Sequence, residues 1–171
     1  FGWLATEGYI DKNPMLRVKR IKADYKIKKA FSDMEVEQLR EAANTAKEKA
    51  LIEFLLSTGC RVTEVSRLHV QDIDFSKKEC VVYGKGNKER KVYLTDKCLF
   101  YLNLYLTTRN EESTSLFTNR NHYGMTKGNI ETLLRKIGKR AGVDKVHPHR
   151  FRRTFATNAI NKGMPVQYVQ K

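Results

Sequence analysis

The chain is short of carboxylates. Nineteen Asp and Glu face 33 Lys and Arg, a formal charge of +14 that exceeds what solubility requires and points to a polyanionic partner. Long apolar runs are missing too. No stretch approaches the roughly 18 consecutive apolar residues of a membrane span, and the segments around Leu55 and Leu104 are broken by polar groups. That sets a membrane aside and leaves nucleic acid as the expected anion. Only three cysteines are present, Cys60, Cys80 and Cys98, an odd number without CxxC spacing, and no signal peptide is visible. A disulfide framework and a zinc site are therefore not expected, and a reducing intracellular setting is. His147 and His149 form an HxH pair with no third ligand candidate nearby, so a metal site is not expected. Repeats and low-complexity tracts are absent. The chain starts at Phe1 without methionine, in what reads as the end of a helix, and is expected to be a piece of a longer protein.

What is present divides at about residue 31. Phe1 to Tyr9 reads as the end of a helix, stopped by Asp11 and the turn signal Asn13-Pro14. From Lys12 to Lys29 come eight basic residues, including Lys19, Arg20, Lys22, Lys26 and Lys28, with weak apolar periodicity. Such a run reads as a linker, either solvated or laid along DNA phosphates. Ser32 with Glu35 forms a capping-box pattern that opens the main domain, residues 32–171. Ala50, Leu51, Phe54 and Leu55 recur at helical spacing, Gly59 offers a stop, and Arg61 to Leu68 reads as a short helix. Cys80 to Tyr83 and Val92 to Leu94 are β-prone runs flanking Gly84-Lys85-Gly86-Asn87, a hairpin in which Tyr83 and Tyr93 are expected to face each other as core packing. Further helices are expected over Leu99 to Leu106, Ile130 to Ile137 and Arg150 to Ile160. The fold class is α+β, mainly helical, with a small antiparallel sheet.

Three segments carry chemistry. In His147-Pro148-His149-Arg150-Phe151-Arg152-Arg153, helical geometry puts His149 and Arg152 one turn apart on one side, while Phe151, Phe155 and Ala159 form a separate apolar stripe. An imidazole and a guanidinium aimed at one target suit a phosphate; alone, the pattern fits equally a capped surface helix with a few arginines. In Thr58-Gly59-Cys60-Arg61-Val62-Thr63-Glu64, Gly59 permits a sharp turn, Arg61 heads the next helix, and Glu64 lies one turn on; alone this is an ordinary Arg–Glu surface pair. The third, Gly84-Lys85-Gly86-Asn87-Lys88-Glu89-Arg90, lacks the glycine spacing of a Walker-type phosphate loop and alone is a solvated turn. His69 and His122 read as surface or local structural residues.

Taken together and in this order, the three segments resemble the tyrosine recombinases, also called phage integrases, whose catalytic domain carries a TGxRxxE-like box, a GKGxKxR hairpin and an HxxR helix. The resemblance spans about residues 32–171, and residues 1–31 resemble the last helix of the family's core-binding domain with its basic linker. It implies a site-specific enzyme that cuts and rejoins double-stranded DNA through a 3′-phosphotyrosyl intermediate, without metal or high-energy cofactor, for integration or excision of a mobile element. Arg61 and Arg152 would then hold the non-bridging oxygens of the scissile phosphate. Lys85 would protonate the departing 5′ oxygen, His149 would serve as general base or hydrogen-bond donor, and Glu64 would support Arg61. Lys19, Arg20, Lys22, Lys28, Lys88, Arg90 and Arg153 are the remaining candidates for DNA contact.

Arg153 stands where many members have a second histidine. The family's Leu-Gly-His box and attacking tyrosine would lie downstream of Lys171, and Tyr168, in the helix leading to that box, comes too early to replace it. The resemblance thus implies a parent protein that assembles as a tetramer on DNA in the cytoplasm, associated with the nucleoid, and a fragment that binds DNA without cleaving it. A non-catalytic DNA-binding module of the same fold and a type IB topoisomerase are the alternatives.

Overall fold

Ser32 opens the domain as its local sequence requires. Its hydroxyl accepts the Glu35 N–H at 3.2 Å while the Glu35 carboxylate accepts the Ser32 N–H at 2.9 Å, so two otherwise unsatisfied donors are capped as the domain's first helix begins. This is a computed structural model, describing residues 1–18, 29–84, 89–109 and 113–169. The helix, α1 (Asp33–Glu41), buries Val36 and Leu39. Thr45 caps α2 (Ala46–Thr58) in the same manner, accepting from the Glu48 N–H at 3.2 Å. Nearly every turn of α2 is buried, and it is the central helix, packed against α4 (Asp96–Thr108) on one side and α6 (Pro148–Asn161) on the other. Between them in sequence come the single-turn α3 (Val62–Val65) and a three-stranded antiparallel sheet of β1 (Ile73–Asp74), β2 (Glu79–Tyr83) and β3 (Glu89–Tyr93) in that order. Helix α5 (Lys127–Ala141) and the short α7 (Val166–Val169) complete the domain.

The core is continuous. Leu39, Leu51, Phe54, Leu55, Leu102, Leu116, Ile130, Leu134, Ile137 and Phe151 are all fully buried within it. Buried carboxylates on α2 are paired, as burial demands: Glu53 with Arg40 at 2.6 Å and Glu48 with Arg140 at 2.6 Å. Gly138 of α5 has a packing reason, since a Cβ there would sit 2.6 Å from Val146. That close approach lets the 142–147 loop fold back onto α5 and deliver His147 to the start of α6. All three cysteines are buried and unbridged, and burial pushes the Cys60 thiol up to about 11 and Cys80 up to about 12. They are packing groups. Among the described residues no helix is long and apolar enough to cross a membrane.

Several elements differ from the sequence reading. The N-terminal helix spans only Gly2–Thr6 and buries none of its residues; Asn13 then caps a separate 3-10 turn, Pro14–Arg17, by accepting the Met15 N–H. Phe31, at the edge of the expected linker, is buried and meets Phe151 edge-on at 4.9 Å. Tyr83 and Tyr93 do not face each other. The register pairs Tyr83 with Glu89 and Tyr93 with Glu79, which puts the two tyrosines at opposite ends of the hairpin, four residues or about 13 Å apart. Both are exposed, and the Tyr83 hydroxyl donates to Glu89 at 2.8 Å. The buried face of the hairpin is instead Cys80, Val82 and Val92. Strand β1 was not expected; two residues are too few to carry an alternation.

Candidate functional site

Gly59 brings the first two motifs together. It ends α2 in the left-handed conformation, φ +59°, and a Cβ there would meet the Phe155 ring at 2.4 Å, so glycine is required by both backbone and packing. Phe155 belongs to α6, and the close approach places that helix directly over the 58–61 turn. As a result the Arg152 guanidinium donates to the Gly59 carbonyl at 2.6 Å, across 93 residues of sequence.

Around this turn lie three arginines and one carboxylate, which two of them share. Glu64 is only 4% exposed; its Oε2 accepts the Arg61 N–H at 2.7 Å and its Oε1 accepts Arg61 Nη1 at 3.1 Å. Arg90, on the inward face of β3, holds both oxygens, at 2.9 and 3.0 Å. Burial alone would raise the Glu64 carboxyl, but the Arg90 guanidinium and the Arg61 N–H outweigh it and hold it below the ordinary value of 4.5. Arg152 is in the opposite position. Desolvation, then the Arg61 and Arg90 charges, lower its pKa, and its guanidinium donates to a carbonyl rather than to a carboxylate. The cluster therefore carries more positive charge than it neutralises internally. An anion relieves that.

Arg61 keeps half its side chain exposed, His149 is exposed one turn before Arg152, and Arg153 is half-buried with its Nε buried and unpartnered among the described residues. Lys29, Lys145, His147, His149, Arg152 and Arg153 line a 1020 Å³ cleft along the start of α6, with Glu35 and Asp144 on its wall. A second hollow, 540 Å³, is lined by Asp72, Asp74 and Glu89 and has the wrong sign for a polyanion. No metal-binding group of three His, Cys, Asp or Glu exists among the described residues.

The fold thus gathers Arg61, Glu64, Arg90 and Arg152, with His149 and Arg153 on the adjoining cleft. Lys85 and Lys88, at the hairpin tip, lie outside the described residues, as do Lys19, Arg20, Lys22 and Lys28. The sequence reading missed Arg150. It ion-pairs with Glu35 at 2.6 Å, donates to the carbonyls of Ala30 and Asp144, and lies 4.1 Å from the Phe31 ring centroid. Thr154 accepts the Phe31 N–H at 2.8 Å alongside. These contacts latch the start of the domain to the helix that bears His149 and Arg152. The sequence offered only an arginine beside His149 on the same cleft, with nothing local to mark Glu35 as its partner.

Comparison with known proteins decides the family. The phage integrase family model matches residues 29–171. The chain belongs to the phage integrase family. Among curated members, it is 32% identical over 185 residues to the tyrosine recombinase XerC of Oceanobacillus iheyensis, a match covering 100% of this chain and 61% of that protein. The chain therefore spans about three-fifths of the length of the integrase-family relatives it matches. The crystal structure of XerA recombinase superposes with a TM-score of 0.79 at 30% identity, over 89% of this chain and 56% of that one. XerH recombinase bound to difH substrate, a pre-cleavage complex, gives a TM-score of 0.68 at 25% identity, over 82% and 45%. The mainly helical architecture with its three-stranded sheet is that of a tyrosine recombinase catalytic domain.

Proposed function

We propose that this chain is the phosphate-holding part of a site-specific DNA recombinase, whose parent protein cuts and rejoins double-stranded DNA through a 3′-phosphotyrosyl link during integration or excision of a mobile element. The observation that carries this reading is the undercompensated arginine cluster. Arg61 and Arg152 converge at the Gly59 turn from separate motifs, one held by a buried carboxylate and the other by a carbonyl. Facing a scissile phosphate, their unused N–H groups would bind its non-bridging oxygens and neutralise the charge that builds as the phosphorus becomes pentavalent. His149, one turn from Arg152, would pass or hold a proton at the same centre, and Lys85 would protonate the leaving 5′ oxygen. Arg153, Lys88 and the basic residues Lys19, Arg20, Lys22 and Lys28 would hold flanking phosphates, with residues 1–31 acting as a linker from a preceding domain. The net charge of +14 and the substrate-bound state of XerH support DNA as the partner.

In this reading the attacking tyrosine lies downstream of Lys171, the working assembly is a tetramer on DNA in the cytoplasm, and the 171 residues alone bind DNA and leave its strands intact. The test uses the full-length protein on a suicide DNA substrate. A covalent protein–DNA complex should form, and Arg152→Ala should abolish it. Normal trapping by that variant would sink the assignment, and DNA binding without any covalent complex would favour a non-catalytic module.

A further inference from the structure

Arg90 reads, from the sequence, as one more DNA contact. Its surroundings give it different work. Along β3 the side chains alternate: Glu89, Lys91 and Tyr93 face out, while Arg90 and the buried Val92 face in. The inward turn brings Arg90 onto Glu64, where it takes both carboxylate oxygens at 2.9 and 3.0 Å and is left with only 22% of its side chain exposed. Arg61 holds the same carboxylate by a single guanidinium bond of 3.1 Å and keeps 51% of its side chain in solvent. One buried acid is thus shared unequally. Had Glu64 no second cation, opposite charge at this range would draw Arg61 into a two-pronged pair and turn its outward N–H groups inward.

We propose that Arg90 is a positioning residue: by filling the Glu64 carboxylate from the hairpin side, it keeps the Arg61 guanidinium aimed outward for phosphate, and it does not itself touch DNA. The proposal rests on the phosphate-holding role of Arg61 given above. It also links two motifs mechanically. Arg90 follows Lys85 by five residues in sequence, and β3 is fastened to the Arg61 helix through the same ion pair.

The two accounts of Arg90 separate in a double-mutant cycle. The 171-residue chain, as wild type, Arg90→Met, Arg61→Met and the double variant, is titrated with a short DNA duplex over a range of salt, and urea unfolding confirms that each is folded. Acting through Arg61, Arg90→Met should weaken binding about tenfold, the worth of one charge-assisted hydrogen bond. It should lower the salt slope by about 0.9, one phosphate contact. Arg61→Met should do the same, and the double variant should bind no worse than Arg61→Met. Multiplied losses, with the slope down by about 1.8 in the double variant, would mean that Arg90 holds its own phosphate and would overturn the proposal. So would an Arg90→Met chain that binds like wild type. Should Arg90→Met fail to fold, Arg90→Lys keeps the charge but not the two-pronged grip and enters the same cycle. A wild-type chain without salt-dependent binding, or an Arg61→Met chain that binds normally, would overturn the functional reading itself and this proposal with it.

Discussion

Arg150 and Arg152 stand two residues apart on α6, and the regions around them are opposites. Arg150 is saturated: a carboxylate, two carbonyls and an aromatic face surround it, and its side chain is 13% exposed. Arg152 meets a carbonyl and the like charges of Arg61 and Arg90. The first arrangement fastens the chain, because its Nη1 and Nη2 groups are bonded within the protein. The second holds donors in place without satisfying their charge, which suits a group that must wait for an anionic ligand. One helix turn serves both purposes, since residues two apart are roughly 200° apart around the helix. The stable side orients the unsatisfied one.

The contrast can be broken first at Glu64, the acid on which the cationic cluster depends. Glu64→Gln leaves the Arg61 and Arg90 guanidiniums without their buried counter-ion and should cost about 3 kcal/mol at neutral pH, measured by urea unfolding. Since folding depresses the Glu64 pKa, its stabilisation is present above the ordinary value of 4.5 and is lost as pH falls through the lower folded value. The gap between wild type and variant should therefore narrow below about pH 4.5; a gap that widens there would show that the carboxylate is not the stabilising form. Next comes the saturated arginine. Arg150→Met should cost about 1–2 kcal/mol, less than a fully buried pair because Glu35 remains partly in solvent. A loss below 0.5 kcal/mol, roughly the scale of ordinary surface changes, would count against the latch.

The smallest effect on stability is expected at Arg152. Losing its bond to the Gly59 carbonyl is offset by removing a desolvated cation from two like charges, so Arg152→Met should change unfolding by less than about 1 kcal/mol in either direction. Its DNA affinity should nevertheless fall about tenfold. Equal damage to stability and binding would erase the distinction between the two arginines.

Much of this was legible in local patterns. The Ser32 and Glu35 capping box, the Gly59 stop and the helix beginning at Pro148 depend on neighbours within four residues, so the sequence specified them. The inward parity of Arg90 was legible in the same way, because Val92 fixes it; its pairing with Glu64 was not, since 26 residues separate the two. The Tyr83 and Tyr93 pairing failed for a related reason: both lie on the outer face, but register, not face, decides which residues are opposite.

By itself, then, the sequence determined the basic charge, the order of the three motifs and the family they mark. Only the tertiary structure decided how the arginines are used. Glu35 and Arg150 lie 115 residues apart, and Gly59 and Arg152 lie 93 apart. No local propensity encodes which guanidinium meets a carboxylate and which is left facing its own kind, for that depends on how helices and hairpin pack around α2. Charge was written in the composition; its satisfaction was settled by packing.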